Sequence, residues 1–372
     1  MGNWLWQKIA ADSGLTDSDT EDYELAKDAL ISSIMVRAQI RVDDTARDAA
    51  TVCARLWDDM DKLEVLGDEE DVIKSLSGRE VLGLNMYDFH APPAWQVGED
   101  RDGYNIIDFY LNFGRFPGDL KYLINTGKWG LVKLYVEHSI TTTDKLGFKS
   151  GDLALEIWQL RRIGDLPEAV LGHFKTSRKH NWTATTTAQE VKKILPCKNP
   201  YRRIAIFSHE DSYTPGEAIT DITLEVDDGA LKPFYGVPMR MLQMQTAMYG
   251  ITPVLRFTTS AYTGATAALS ETEIPYIQSC VLVPRTASGA TAQSLASVAG
   301  SVIAIAQTGA GDGFALVQGD GFMGCMLIPF DLGGDDRDYY LSGEHSKIEV
   351  VVDEKATRVP AMSIVLDELV KT

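Results

Sequence analysis

A mostly β-protein of sandwich or barrel type, built as two copies of one domain, is what the sequence predicts. Period-two alternation recurs along the chain, helical periodicity is confined to short stretches, and the two halves share a collinear series of motifs. Many short strands separated by Gly, Pro, Asp and Thr clusters at turn spacing belong to that fold class.

The elements follow in order. The N-terminal stretch to about Leu30 is expected to be a helical arm, spanning 1–27. Ile34, Val36, Ala38, Ile40 and Val42 then alternate with Met35, Arg37, Gln39 and Arg41, the pattern of a strand with one buried face. The run 46–57 (Ala46, Ala49, Ala50, Cys53, Ala54, Trp57) fits a helix face but lies among strands, and stays undecided. Val132, Leu134 and Val136 alternate with Lys133, Tyr135 and Glu137, and Ile348, Val350 and Val352 repeat the pattern against Lys347, Glu349 and Asp353. Shorter strands are expected at 204–207, 219–226, 281–283, 302–306, 315–317 and 362–366.

Comparing the halves exposes a repeat. Tyr110-Leu-Asn-Phe-Gly-Arg-Phe-Pro-Gly-Asp119 matches Met326-Leu-Ile-Pro-Phe-Asp-Leu-Gly-Gly-Asp335 at an offset of 216, which also aligns Val132, Leu134, Val136 with Ile348, Val350, Val352. Earlier, an offset of 158 pairs Leu76-Ser-Gly78 with Phe234-Tyr-Gly236, Leu84 with Leu242 and Met86 with Met244, each in a short helix following a strand. Each half closes on a similar strand, Leu153-Ala-Leu-Glu-Ile157 against Pro360-Ala-Met-Ser-Ile364. The expected units are 28–165 and 195–372. The offsets differ by 58 residues, which places an insertion in the second unit at about 254–320, rich in Ala, Ser, Thr and Gly.

The segment 166–194 reads as a basic connector. From Arg161 to Arg203 ten Lys/Arg stand against three acids, in a chain whose 35 Lys+Arg and 53 Asp+Glu give a net charge of −18. Arg161, Arg162, Lys175, Arg178, Lys179, Lys192 and Lys193 form either a solvated linker or a band that docks on the acidic face of a neighbouring copy. The strong acidity argues against direct nucleic-acid binding, which needs a basic footprint.

The sequence holds no motif that singles out a catalytic, metal-binding or cofactor-binding residue, so no cofactor is expected. Gly127-Lys128 is followed by Trp129, which breaks a P-loop, and Gly309-Ala-Gly-Asp-Gly313 has Phe314 where a dinucleotide fingerprint needs glycine. The six histidines include no pair within four residues, contrary to a bicupin metal site. Asp227-Asp-Gly229, Gly311-Asp-Gly313 and Asp335-Asp-Arg-Asp338 read as turns rather than calcium loops. Cys53, Cys197, Cys280 and Cys325 are spaced as free thiols. No signal peptide or spanning segment is read, and Asn181-Trp-Thr183 is then an idle sequon.

With Leu76-Ser-Gly-Arg-Glu-Val-Leu-Gly-Leu-Asn-Met-Tyr87, the strand around Asn112-Phe-Gly-Arg115, the Val132-Lys-Leu-Tyr-Val136 strand, and Ile194-Leu-Pro-Cys-Lys-Asn-Pro-Tyr-Arg-Arg-Ile-Ala-Ile206 opening a second unit, the chain resembles the double jelly-roll major capsid proteins of tailless icosahedral viruses. That lineage includes adenovirus and membrane-containing bacterial and archaeal viruses. The resemblance implies two tandem eight-stranded antiparallel jelly rolls, a homotrimeric pseudo-hexagonal capsomer in a virion shell, and synthesis in the host cytoplasm. It implies as partners other capsomers, minor capsid or penton proteins, and an internal lipid membrane. On it, Trp4, Leu5, Trp6 and Ile9 are expected to touch that membrane or a neighbouring subunit. The alternatives are another tandem-β virion protein, such as a spike or minor capsid protein, and a bicupin-like or carbohydrate-active protein using Trp95, Trp129, Trp158 and Trp182 as sugar platforms.

Overall fold

The computed structural model describes residues 2–41, 55–90, 95–96, 104–142, 148–164, 170–209, 215–236, 238–249, 254–261, 268–271, 276–284, 293–297, 302–307, 311–331, 338–356 and 359–371. The first half contributes β1 (Asn3–Leu15), β2 (Ser18–Glu24), β3 (Leu30–Arg41), β4 (Lys62–Gly67) and β5 (Asp71–Leu76). Helix α1 (Gly78–Phe89) follows, then β6 (Tyr104–Asn112), β7 (Val132–Ser139) and β8 (Leu153–Ile163). The second half contributes β9 (Gly172–Thr183), β10 (Gln189–Leu195), β11 (Tyr201–Ser208), β12 (Ile219–Val226), β13 (Leu231–Gly236) and helix α2 (Pro238–Tyr249). It ends with β14 (Cys325–Pro329), β15 (Ile348–Glu354) and β16 (Ala361–Lys371).

Sheet order β1-β8-β3-β6 faces β2-β7-β4-β5 in the first half, and β9-β16-β11-β14 faces β10-β15-β12-β13 in the second. The second order is the first with eight added to every strand number. Both are jelly rolls. The helix occupies the same place in each, between the fifth and sixth strands. Among the described residues of 254–320, six further strands pair into two three-stranded antiparallel sheets.

Two expectations are corrected. The N-terminal segment 1–27 is not a helical arm: β1 pairs antiparallel with β8 from Asn3↔Ile163 to Leu15↔Leu153, and β2 pairs with β7. Helix-compatible residues such as Ala10 and Ala11 are held in a strand by the backbone ladder that β8 offers, a tertiary override of propensity. The segment 166–194 is not a connector, since most of it folds as β9 and β10, the first two strands of the second roll. The undecided run 46–57 falls largely outside the described residues, which resume at Arg55.

The two rolls share a sheet. β5 runs parallel to β9 at Lys74↔Thr176 and Ser75↔Ser177, fusing β2-β7-β4-β5 to β9-β16-β11-β14 as one eight-stranded sheet. Burial shows what this does. In β3 the last seven residues alternate between buried and half-buried, as expected for a sheet covered on one face. In β11 every residue is buried, and β14 and β16 are nearly continuous. Ile204, Ile206, Met326 and Ile364 point into the second roll's core, while Ala205, Phe207, Cys325 and Val365 belong to the first roll's core. The sheet β9-β16-β11-β14 is therefore a wall with apolar packing on both sides.

Helix α1 lies on that wall, buried from Gly78 through Asp88. Ser77 and Glu80 form a reciprocal capping box that satisfies its first N–H groups. Gly83 permits the approach: a Cβ there would lie 2.6 Å from Phe207 Cε1.

Candidate functional site

The strongest concentration of charge lies where α1 and β5 meet the wall. Arg202 and Arg203 begin β11, just before its apolar run, and both are buried. Arg202 Nε donates to Asp331 Oδ2 at 2.7 Å, and its Nη1 lies 3.2 Å from both Asp88 and Asp367. Arg203 Nη1 lies 2.9 Å from Asp88, and its Nε 3.1 Å from Asp367. Lys74 donates to the Thr176 hydroxyl, which donates to Asp367 Oδ1 at 2.7 Å. Asn112 donates to Asp88 and accepts from Ser33.

Three cations thus face three carboxylates. Lys74, Asp88, Asn112 and Ser33 belong to the first roll; Thr176, Arg202, Arg203, Asp331 and Asp367 belong to the second. Burial alone would raise the Asp367 carboxyl, but Arg203, Lys74 and Arg202 outweigh it and hold that group below its usual range. Burial pushes Lys74 down to about 8 despite Asp367 and Asp88. Such a cluster adds little net stability, because desolvation offsets attraction, but its pairs cross from one roll to the other and are made only with the rolls in this relative position. Its chemistry is that of a lock.

A second set of pairs rims a cleft of about 490 Å³ farther along the junction. Arg178 on β9 holds the fully buried Glu80 through two bonds of 2.8 and 2.9 Å, and Arg79 holds Asp58 through two of 2.8 Å. Ser363 donates to Glu80 at 2.6 Å, so His209 Nε2, 3.0 Å from that hydroxyl, carries the proton and donates to it. Burial lowers His209 to about 4.

The basic residues singled out from sequence are spread over β8, β9 and β10. Lys175 pairs with Asp71, Arg178 with Glu80, Lys179 with Glu368, and Lys192 with Glu190 and Glu225. Lys193 sits over the Trp182 ring at 4.8 Å. Arg161 and Arg162 stand opposite Leu5 and Trp4 in the β1–β8 ladder, with the Arg162 guanidinium 5.7 Å from the Trp4 ring. Two groups read separately from sequence, the N-terminal aromatics and the start of the basic run, therefore meet at one corner. There Leu5 and Trp6 are exposed, Trp4 is half-buried, and Ile9 packs against the first core.

Lys74, Asp88, Arg202, Arg203, Asp331 and Asp367 were missed. The available signal was a charged pair abutting an uninterrupted apolar strand, as in Arg202-Arg-Ile-Ala-Ile-Phe207, since a strand buried on both faces forces neighbouring charges into pairs. Among the described residues no three His, Cys, Asp or Glu side chains converge as a metal site requires, and no helix is long and apolar enough to cross a membrane. Asp227 lies in a turn and is held down to about 2 by His345 and Ser346. Asp335, Asp336 and Arg337 lie outside the described residues, as does the side chain of Asp312. Cys325 is buried and Cys197 half-buried, both free thiols; the side chains of Cys53 and Cys280 lie outside the described residues.

No family model and no curated protein matches this sequence. Solved structures do match its fold. The STIV MCP is similar at a TM-score of 0.56 and 11% identity, over 99% of this chain and 97% of that one. A chain in the structure of Sulfolobus Turreted Icosahedral Virus gives 0.59 and 9%, over 98% and 91%. The major capsid protein P2 of bacteriophage PM2 gives 0.51 and 10%, over 100% and 98%. At these identities the likeness is one of fold, and it spans both rolls.

Proposed function

We propose that this chain is a structural protein, the major capsid protein of an icosahedral virion, and that three copies form a pseudo-hexagonal capsomer. The observation that carries this reading is two like-ordered jelly rolls, fused through one sheet and locked by a buried ion cluster, matching capsid proteins end to end. A shell tile must keep its shape under lateral load. A continuous sheet with a charge lock between its halves supplies that stiffness, and the role requires no catalytic group.

Strand directions divide the molecule into two ends. The start of β1, the end of β8, the 113–131 connection and the end of β16 share one end, because Asn3 pairs with Ile163, Leu30 with Arg162 and Gly172 with Lys371. Leu5, Trp6, Phe116, Leu120, Ile163 and Leu171 are all exposed there. This end is the base of the tile, and Trp4, Leu5, Trp6 and Ile9 contact an underlying membrane or a neighbouring subunit there. The 254–320 stretch springs from the opposite end and faces outward. Partners are other capsomers and minor capsid or penton proteins, the location is the virion shell after synthesis in the host cytoplasm, and the acidic chain makes no direct contact with nucleic acid.

Negative-stain electron microscopy of the purified full chain tests this. Six-cornered particles with threefold symmetry are expected, and a field of single-chain particles at every concentration would overturn it.

A further inference from the structure

The internal contact between the rolls carries a template for a contact the chain does not satisfy by itself. Helix α1 turns two faces to protein. Val81, Leu82 and Asn85 serve its own roll, Asn85 pairing with the Tyr110 backbone. Glu80, Gly83, Tyr87 and Asp88 meet the second roll: Glu80 through Arg178 and Ser363, Gly83 against Phe207 and Cys325, Tyr87 through Gln245, and Asp88 through Arg202 and Arg203.

Helix α2 begins 160 residues after α1, two more than the offset of 158 expected from the sequence, and Gln245 donates to the Leu327 carbonyl as Asn85 donates to that of Tyr110. At that offset the residues serving α1's own roll map to Met241, Leu242 and Gln245, all buried. Those meeting the second roll map to Arg240, Gln243, Ala247 and Met248, all exposed, and the neighbouring Met244 is exposed as well, with Met244 42% and Met248 44% accessible. The face of α1 that packs on a sheet has as its counterpart a face of α2 that packs on nothing described in this chain.

The complementary surface is also present. The wall's counterpart in the first roll is the sheet β1-β8-β3-β6, whose outer face is only half-buried at Met35, Arg37, Tyr110, Glu156 and Trp158. Equivalent ladder positions locate the partners. Ser363 pairs with Phe207, and Glu156 with Arg37; Cys325 pairs with Phe207, and Asp108 with Arg37. Tyr110, bonded by Asn85, corresponds to Leu327, bonded by Gln245, one residue beyond the sequence offset of 216, and these pair with Met35 and Ala205; the counterparts of Ser363, Phe207 and Cys325 are thus Glu156, Arg37 and Asp108. Where α1 sets Glu80 against Ser363, α2 would set Arg240 against Glu156, the opposite charge.

We propose that α2 of one copy seats on the outer face of β1-β8-β3-β6 of the next copy, with Arg240 paired to Glu156 and Met244 and Met248 covering Tyr110 and Trp158. Thioether sulfur on aromatic rings is a favourable contact, and the methionines adapt to the half-buried face. The two surfaces differ, so the contact is heterologous, and a three-copy capsomer requires its rotation to close into a ring. The inference rests on the capsomer reading and names the interface that builds it.

Disulfide trapping tests it. Gly83 Cβ would lie 3.3 Å from Cys325 Cβ, close to disulfide spacing, so the equivalent pair is Gln243→Cys with Asp108→Cys. Mild oxidation of the double variant is expected to give two- and three-chain species on a non-reducing denaturing gel, reversed by thiol and missing from either single variant. A native trimer that yields no such ladder overturns the seat and leaves the capsomer reading intact, whereas a native monomer overturns both. Charge reversal gives an independent readout at Arg240, which is exposed, and at Glu156, which is half-buried and also bonded by Lys8 at 2.6 Å within its own sheet. Arg240→Glu and Glu156→Arg are each expected to weaken association by on the order of tenfold or more, and their combination to restore it; single variants that associate like wild type overturn the pairing.

Discussion

Asp88 neutralises two guanidinium groups at once, lying 3.2 Å from Arg202 and 2.9 Å from Arg203 with all three side chains buried. Asp88→Ala leaves those charges under-compensated in a dry junction, and a loss of about 3–5 kcal/mol in urea unfolding is expected. Acid sensitivity has its own residues. Burial lowers both His173 and His209 to about 4 from the ordinary 6.5. The folded chain then binds fewer protons than the unfolded one, so their contribution is complete above 6.5 and is lost as pH falls toward 4. Asp59 opposes this, because burial raises it to about 6 from 3.8, so its contribution is present below 3.8 and lost as pH rises through 6. Two histidines outweigh one aspartate, and stability is expected to drop on acidification across 6.5 to 4. The same titration of the paired variant His173→Gln/His209→Gln should lose that drop. These residues were poorly legible in the sequence, where a buried histidine and an exposed one look alike.

Helix α1 depends on its start and on one glycine. Ser77→Ala removes the cap bond to Glu80 and is expected to cost about 1 kcal/mol. Gly83→Val drives a branched side chain into Phe207 and Cys325 and is expected to cost about 1–3 kcal/mol, read by the same unfolding measurement. At this scale the sequence was informative where one periodicity dominated. Strands β3, β7 and β15 announced themselves by alternation or apolar content, and the helices by their repeated position after a strand. Strand β1 did not, because an edge strand with an exposed face carries mixed polar and apolar residues, and only its ladder with β8 decides its conformation. Likewise β9 and β10 are rich in Lys and Arg because their cations are spent on pairs such as Arg178–Glu80 and Lys192–Glu225, so charge density there resembled a solvated linker. Continuous burial of β11 reflects packing on both sides, a relation between distant segments that no local window contains.

Taken whole, the molecule is two like units that share one sheet, and the proposed capsomer uses the contact between them twice. Within the chain, α1 on the wall joins the first roll to the second; in the proposed capsomer, α2 on the equivalent face would join the second roll to the next copy's first. Six such steps need three chains. A charge of −18 opposes non-specific association of free copies, so assembly requires a specific complementary contact. The most direct measurement is the solution mass of the purified full chain by size exclusion with light scattering, with a mass of 41.0 kDa for one copy. The account predicts a stable species at three times that mass. A species that stays at the single-chain mass up to high concentration would contradict it.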